Sequence, residues 1–160
     1  NAFAHMPLAT GNKSELSTGY CTLYGDMVGG LAPIGDVYKT QVFRLAQHLN
    51  VEAGHERINR SIITKPPSAE LKPNQVDQDK LPPYDLLDAI LERYIEGDQT
   101  GEQIASAGFD GEVVRRVVRM VDAAEYKRKQ AAPVLKVTAR AFGTGRRVPI
   151  AQRYVSVGGF

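Results

Sequence analysis

Between Pro66 and Pro83 the chain carries five of its nine prolines, with Lys72, Asn74, Gln75, Asp77, Gln78, Asp79 and Lys80 among them. Proline removes a backbone donor and fixes φ, and these polar neighbours offer no apolar face, so no packed helix or strand is expected there. The stretch divides the 160 residues into a mixed first part and a helical second part. Eighteen residues of this kind (66–83) inside a compact domain read as a functional lid or a linker.

In the first part, Phe3 to Thr10 is a short apolar run ending at Gly11-Asn12, the pattern of a buried strand opening into a loop. In parallel α/β sheets, ligands bind at that end of a strand. Leu16, Tyr20, Leu23 and Tyr24 then recur at helical spacing, which predicts a helix over 14–24. Gly25 to Gly30 reads as a loop and Leu31 to Ile34 as a short extended piece. Asp36 is placed to cap a helix from Val37 to Leu49 whose apolar face is Val42, Phe43, Leu45, Ala46 and Leu49. A short helix or turn follows over Ile58 to Ile63.

Three helices are expected after the proline segment. Leu86, Leu87, Ile90, Leu91, Tyr94 and Ile95 form the first, which Gly97 stops, and Thr100 caps the second, over Gly101 to Ala107. The third starts near Asp110, buries Val113, Val114, Val117, Val118, Met120 and Val121, and reaches about Gln130 before Pro133. Residues 134–160 read as an irregular basic tail. Charge is uneven: residues 1–114 hold 9 Lys/Arg against 16 Asp/Glu, and residues 115–160 hold 11 against 2. Such a tail suits nucleic acid, nucleotide phosphates or an acidic subunit surface.

A lone Cys21 excludes an intramolecular disulfide framework, and His5, His48 and His55 have no cysteine at zinc-ligand spacing. The longest stretch without Asp, Glu, Lys or Arg, Asn1 to Asn12, is too short for a spanning helix. The first residues, Asn-Ala-Phe-Ala-His, carry no initiator Met and no secretory signal pattern, and read as the start of a fragment. Gly11-Asn12-Lys13-Ser14 lacks the glycines of a phosphate-cradling Walker loop, and Gly143-x-Gly145 lacks the third glycine and helix of a dinucleotide fingerprint.

Five blocks taken in order are far more specific: Leu8-Ala-Thr-Gly-Asn-Lys-Ser-Glu-Leu16, Gly19-Tyr-Cys-Thr-Leu-Tyr-Gly-Asp26, Asp36-Val-Tyr-Lys-Thr40, Lys65-Pro-Pro-Ser-Ala-Glu-Leu71 and Glu125-Tyr-Lys-Arg-Lys-Gln130. Together they resemble the synthetase domain of NAD synthetases, particularly the glutamine-dependent form. The resemblance implies an α/β fold, with this chain as the C-terminal, mostly helical part of a Rossmann-like, parallel-sheet domain of the adenine nucleotide alpha hydrolase type. It implies ATP-dependent amidation of nicotinic acid adenine dinucleotide (deamido-NAD) to NAD through an adenylated carboxylate, with ammonia drawn from glutamine. It also implies Mg²⁺, a cytoplasmic location and a homo-oligomer of at least two subunits. The family's Ser-Gly-Gly-x-Asp-Ser pyrophosphate loop and the glutaminase domain do not occur in this sequence. By itself, therefore, the 160-residue piece is expected to be inactive.

Residue by residue, the resemblance gives Thr10, Lys39 and Ser68 to ATP, and Glu15, Tyr20, Cys21, Thr22, Leu23 and Lys127 to deamido-NAD. Glu15 is also the implied Mg²⁺ ligand, a hard oxygen donor suited to that ion. No catalytic residue is assigned within the chain. Some family members carry lysine where Leu23 stands and aspartate where Gly30 stands, so charged contacts at those two positions are not carried over. Lys39 falls in the first turn of a helix, where a cation opposes the dipole unless an anion is near, and phosphate would supply one. The competing function is a non-catalytic subunit-contact or nucleic-acid-binding module, which rests on the basic tail and amphipathic helices.

Overall fold

A computed structural model describes residues 3–68 and 72–151. Asn1, Ala2, the Ala69-Glu70-Leu71 end of the fourth block and tail residues 152–160, Arg153 included, lie outside the described residues. Seven α-helices are present among them: α1 (Lys13–Thr18), α2 (Lys39–Ala53), α3 (Arg60–Thr64), α4 (Tyr84–Leu91), α5 (Gly101–Ser106), α6 (Gly111–Ala123) and α7 (Glu125–Arg128). The core lies where α4, α5 and α6 meet. Leu87, Ile90, Leu91, Ile95, Ile104, Val114, Val117, Val118 and Val121 are fully buried there, and Leu16 of α1 closes it.

The second half follows its caps and periodicity closely. Thr100 and Gln103 form a reciprocal capping box at the start of α5 (3.2 and 2.8 Å), and Asp110 accepts from the amides of Glu112 and Val113 at the start of α6. After α4, residues Glu92–Glu96 wind into a wider turn in which the Gly97 amide donates to the Glu92 carbonyl, five residues back. Gly97 does end that helix. The predicted third helix is two, because Ala124 (φ −87°, ψ 0°) leaves helical geometry between α6 and α7. Val113 and Met120 are only partly buried at the margin of the α6 face.

The first half departs further from its pattern. Instead of a buried strand over 3–10, only Leu8 bridges, in parallel to Leu31, while Ala32 bridges in parallel to Val134 on its other side. Pro7 has no amide to extend the pairing, and Phe3, Met6 and Leu8 are exposed because no described element covers them. The three extended segments therefore lie side by side in parallel as isolated bridges, not as formed strands.

Helix α1 stops at Thr18, well before the predicted residue 24, because Gly19 takes a left-handed conformation (φ 68°). Tyr20 and Leu23 pack on the core from a loop and Tyr24 is exposed. Helix α2 begins two residues later than expected, with Tyr38 and not Asp36 at its cap, and runs to Ala53. None of its residues is buried, so its apolar stripe is left open at Leu45 and Val51, as is Ile62 on α3. The proline segment is also more structured than its composition predicts. The Asp77 amide donates to the Pro67 carbonyl (2.9 Å), Asp77–Asp79 form a 3₁₀ turn, and Asp77 and Leu81 are buried. Tyr84 donates its hydroxyl to Asp77 (2.7 Å), which satisfies a carboxylate oxygen that polarity alone would place in solvent.

Candidate functional site

The implied site residues gather around the two ends of α1. At its start Asn12 accepts from the Glu15 amide (3.1 Å), and Glu15 accepts from the Asn12 amide (3.0 Å). The other Glu15 oxygen takes the Lys39 ammonium at 2.9 Å, so the structure joins these two residues directly. Both side chains keep some exposure, and Thr10, two residues before the Asn12 cap, is exposed. The Thr10 amide donates to the Asp26 carbonyl (3.3 Å) and the Thr22 amide to the Asp26 carboxylate (2.7 Å), so Asp26 links two implied contact residues.

Lys39 therefore meets its anion in a carboxylate of the same chain. The free amides of the α2 start are likewise occupied. Ser14 accepts from the Lys39 amide (2.9 Å) and donates to Asp88 (2.5 Å), whose second oxygen accepts from the Thr40 amide (2.9 Å). Asp88 thus caps α2 from α4, 48 residues away. Burial pushes the Asp88 carboxyl above the ordinary Asp range against these hydrogen bonds. Nothing in the sequence pattern singles out Asp88, because its partners sit on other helices.

At the far end of α1, two cations of α7 donate to backbone carbonyls, one to those of the helix itself and one to those of the loop that follows it. Arg128 is buried and donates to the carbonyls of Leu16 (3.3 Å), Ser17 (2.8 Å) and Val121 (2.6 Å), while Glu125 pairs with it at 3.0 Å and Phe142 lies under its guanidinium. Desolvation lowers its pKa, opposed by the Glu125 charge. Lys127 donates to the carbonyls of Gly19 and Cys21, both at 2.7 Å. The ammonium that the resemblance gives to the dinucleotide holds the loop backbone in this structure. Both residues sit where cations oppose the negative end of a helix dipole, but the helix is α1 and not their own.

Along that loop Tyr20, Cys21 and Leu23 are half-buried and Thr22 is exposed. Gln75 donates to the Tyr20 hydroxyl (3.3 Å), tying the proline segment to the loop. Burial, partly offset by Lys127, pushes the Cys21 thiol up to about 11, so it is protonated at neutral pH and unsuited to attack as a nucleophile. Ser68 lies on the proline segment that Gln75 ties to this loop. It lines a groove of about 640 Å³ with Lys65, Lys72, Asn74 and Gln75.

Among the described residues no group of three or more His, Cys, Asp or Glu side chains could hold a metal ion. Magnesium at nucleotide sites takes one or two carboxylates plus phosphate oxygens, so Glu15 fits as a single protein ligand to a nucleotide-borne ion and not as part of a protein cage. Among the described residues of the basic tail, two arginines are paired. Arg140 pairs with Asp98 (2.7 Å), Arg146 with Asp122 (3.5 Å), and Ala141 and Phe142 are buried.

A family model described as NAD synthase matches residues 1–131. The chain belongs to the NAD synthase family. A glutamine-dependent NAD(+) synthetase from Synechocystis sp. is 60% identical over 154 residues, 96% of this chain and 27% of that protein. One from Acinetobacter baylyi is 57% identical over 150 residues, covering 94% and 28%. The chain therefore spans little more than a quarter of these relatives. The crystal structure of a glutamine-dependent NAD(+) synthetase from Cytophaga hutchinsonii shares the family fold at 22% identity and a TM-score of 0.73, over 92% of this chain and 24% of that one. No helix among the described residues is long and apolar enough to cross a membrane.

Proposed function

We propose that the chain is the C-terminal part of the synthetase domain of a glutamine-dependent NAD synthetase, and that it supplies part of the ATP and deamido-NAD sites. What carries this reading is the pairing of Glu15 with Lys39 where α1 and α2 begin, with Thr10 two residues before the Asn12 cap of α1, within a chain of the NAD synthase family. The isolated parallel bridges at residues 8, 31–32 and 134 support placement at one side of a Rossmann-like parallel sheet.

In the proposed reaction the carboxylate of deamido-NAD attacks the α-phosphorus of ATP and pyrophosphate leaves. Ammonia from glutamine then attacks the acyl adenylate, and AMP leaves with the amide formed. A site for two anionic substrates needs fixed cations and hydrogen-bond donors. Lys39 brings the ammonium, which Glu15 keeps in place until phosphate competes for it. Thr10 offers a hydroxyl to the nucleotide. Glu15 is the residue that would hold Mg²⁺, an ion that neutralises phosphate charge when bound. Tyr20 to Leu23 form the dinucleotide side, held by Lys127, and Ser68 in the proline segment would close over ATP and exclude water. The open face at Leu45, Val51 and Ile62 supports a homo-oligomer, and we take the proposed ligase to be cytoplasmic. The pairing of Arg128, Arg140 and Arg146 with carboxylates of the same chain weighs against a nucleic-acid module.

The test is Lys39→Ala in the complete ligase. The KM for ATP should rise by about tenfold or more, with little change for deamido-NAD, as expected when one phosphate cation is lost. Unchanged ATP kinetics would count against Lys39 as a nucleotide contact.

A further inference from the structure

Beneath the Glu15–Lys39 pair lies a charged knot that the proposed reaction does not use. Lys13 and Asp36 are both fully buried and pair at 2.9 Å. Lys13 also donates to the Thr138 hydroxyl (2.6 Å), the Arg140 carbonyl (3.0 Å) and Glu96 (3.1 Å), and its ammonium lies 4.9 Å from the centre of the Tyr38 ring. Asp36 accepts from the amides of Val137 and Thr138, both at 2.8 Å, and from the Thr138 hydroxyl at 2.9 Å. The hydroxyl thus accepts from Lys13 and donates to Asp36, which uses its single proton and one of its lone pairs.

A buried ion pair of this kind contributes little net stability against an apolar replacement, so its use is geometric. Each member stands next to a site element. Lys13 lies between Asn12, which caps α1, and Ser14, which accepts from the Lys39 amide. Its own amide donates to the Val37 carbonyl (2.9 Å), and Asp36 lies two residues before Tyr38, from which α2 starts. Thr138 reaches the same point from about a hundred residues further along, on a strap that Ala32 holds through the Pro133 carbonyl (2.8 Å).

We propose that Lys13, Asp36 and Thr138 are positioning residues that hold the starts of α1 and α2 together, so that ATP use depends on the strap at 137–140. The inference rests on the reading that Thr10 and Lys39 contact ATP and that Glu15 would hold the nucleotide's Mg²⁺. It assigns a role in nucleotide use to the segment that composition marks as a basic tail.

The experiment compares Thr138→Val, which keeps the shape and removes the hydroxyl, with Thr138→Ser, which keeps the hydroxyl, both in the complete ligase. Thr138→Val should raise the KM for ATP about tenfold while the KM for deamido-NAD moves less than about twofold, and Thr138→Ser should match wild type. In ligand-free enzyme, hydrogen exchange at the Lys39 and Thr40 amides should quicken in Thr138→Val alone. A purely structural role would move both KM values together or only lower the unfolding midpoint, and either result overturns the proposal. Unchanged exchange in Thr138→Val overturns it as well. A wild-type ligase that consumes no ATP would instead defeat the proposed function and the kinetic half of the inference. The exchange data would still decide whether the knot holds the two helix starts. If Thr138→Val does not fold, Thr138→Ala removes the same hydroxyl without burying a methyl among charges and is judged by the same outcomes.

Discussion

Gly19→Ala is the sharpest probe of how α1 is fixed. Gly19 ends the helix at φ 68°, and a Cβ built there would stand 2.8 Å from the Cβ of Ala124, in the bend between α6 and α7. Two costs arise from that geometry. An L-residue in the left-handed region costs about 1–2 kcal/mol, and pushing apart packed backbone segments costs about 1–3 kcal/mol. The sum is about 2–5 kcal/mol, and only the second part depends on Ala124. Ala124→Gly removes the obstructing methyl, so the double variant should keep the conformational strain but lose the clash. Urea unfolding of the four proteins should show Gly19→Ala strongly destabilised, with the double variant more stable than additivity allows by about 1–3 kcal/mol. Additivity to within about 0.5 kcal/mol would show that the two residues do not press on one another, and the account of α1 packed against the α6–α7 bend would be wrong.

Three other changes have defined outcomes. Arg128→Met leaves Glu125 buried without its partner and removes the donors to Leu16, Ser17 and Val121, so it should cost about 3–5 kcal/mol in the same unfolding assay. Burial would raise the Asp36 carboxyl, but the Thr138 amide, Lys13 and the Val137 amide win and hold it below the ordinary Asp value. A depressed folded value adds stability above the unfolded value of about 3.9 and loses it as pH falls through the folded one, so Asp36→Asn should unfold with a shallower pH dependence below about pH 4. Asp88, raised by burial, has the opposite sign: its folded form favours the proton, and stability falls as pH rises from the unfolded value through the raised one. Asp88→Asn should flatten that decline, and an unchanged slope would place the decline on another group.

Local signals carried the second half of the fold. Thr100, Asp110 and the valine stripe of α6 satisfy their own helices, so short-range pattern and final structure agree. The errors fall where a residue's partner is distant in sequence. Asp36 has the identity and position of a cap, yet a buried lysine 23 residues earlier and two amides 101 and 102 residues later take its carboxylate. Lys127 and Arg128 read as a basic helix end, but Arg128 caps a helix 111 residues upstream, at Ser17, and Lys127 holds the loop that follows it. The proline segment packs because Tyr84 bonds one carboxylate oxygen of Asp77 and the Pro67 carbonyl takes its amide, which no composition measure registers. In the candidate site, the block pattern singles out Glu15 and Lys39 as expected contacts, and the structure adds their direct pairing and the trans cap by Asp88. The apolar stripe expected on α2 is open among the described residues, because amphipathic spacing marks a face without saying what covers it.

The most direct measurement of the central claim is the product balance of the complete ligase supplied with ATP, Mg²⁺, deamido-NAD and glutamine. The account predicts one NAD, one AMP and one pyrophosphate per ATP consumed, because adenylation of the carboxylate must precede the attack of ammonia. The separate 160-residue chain, without the pyrophosphate loop, should give none of these products. ATP converted to ADP and phosphate, or ATP consumed without amide formation, would contradict the account.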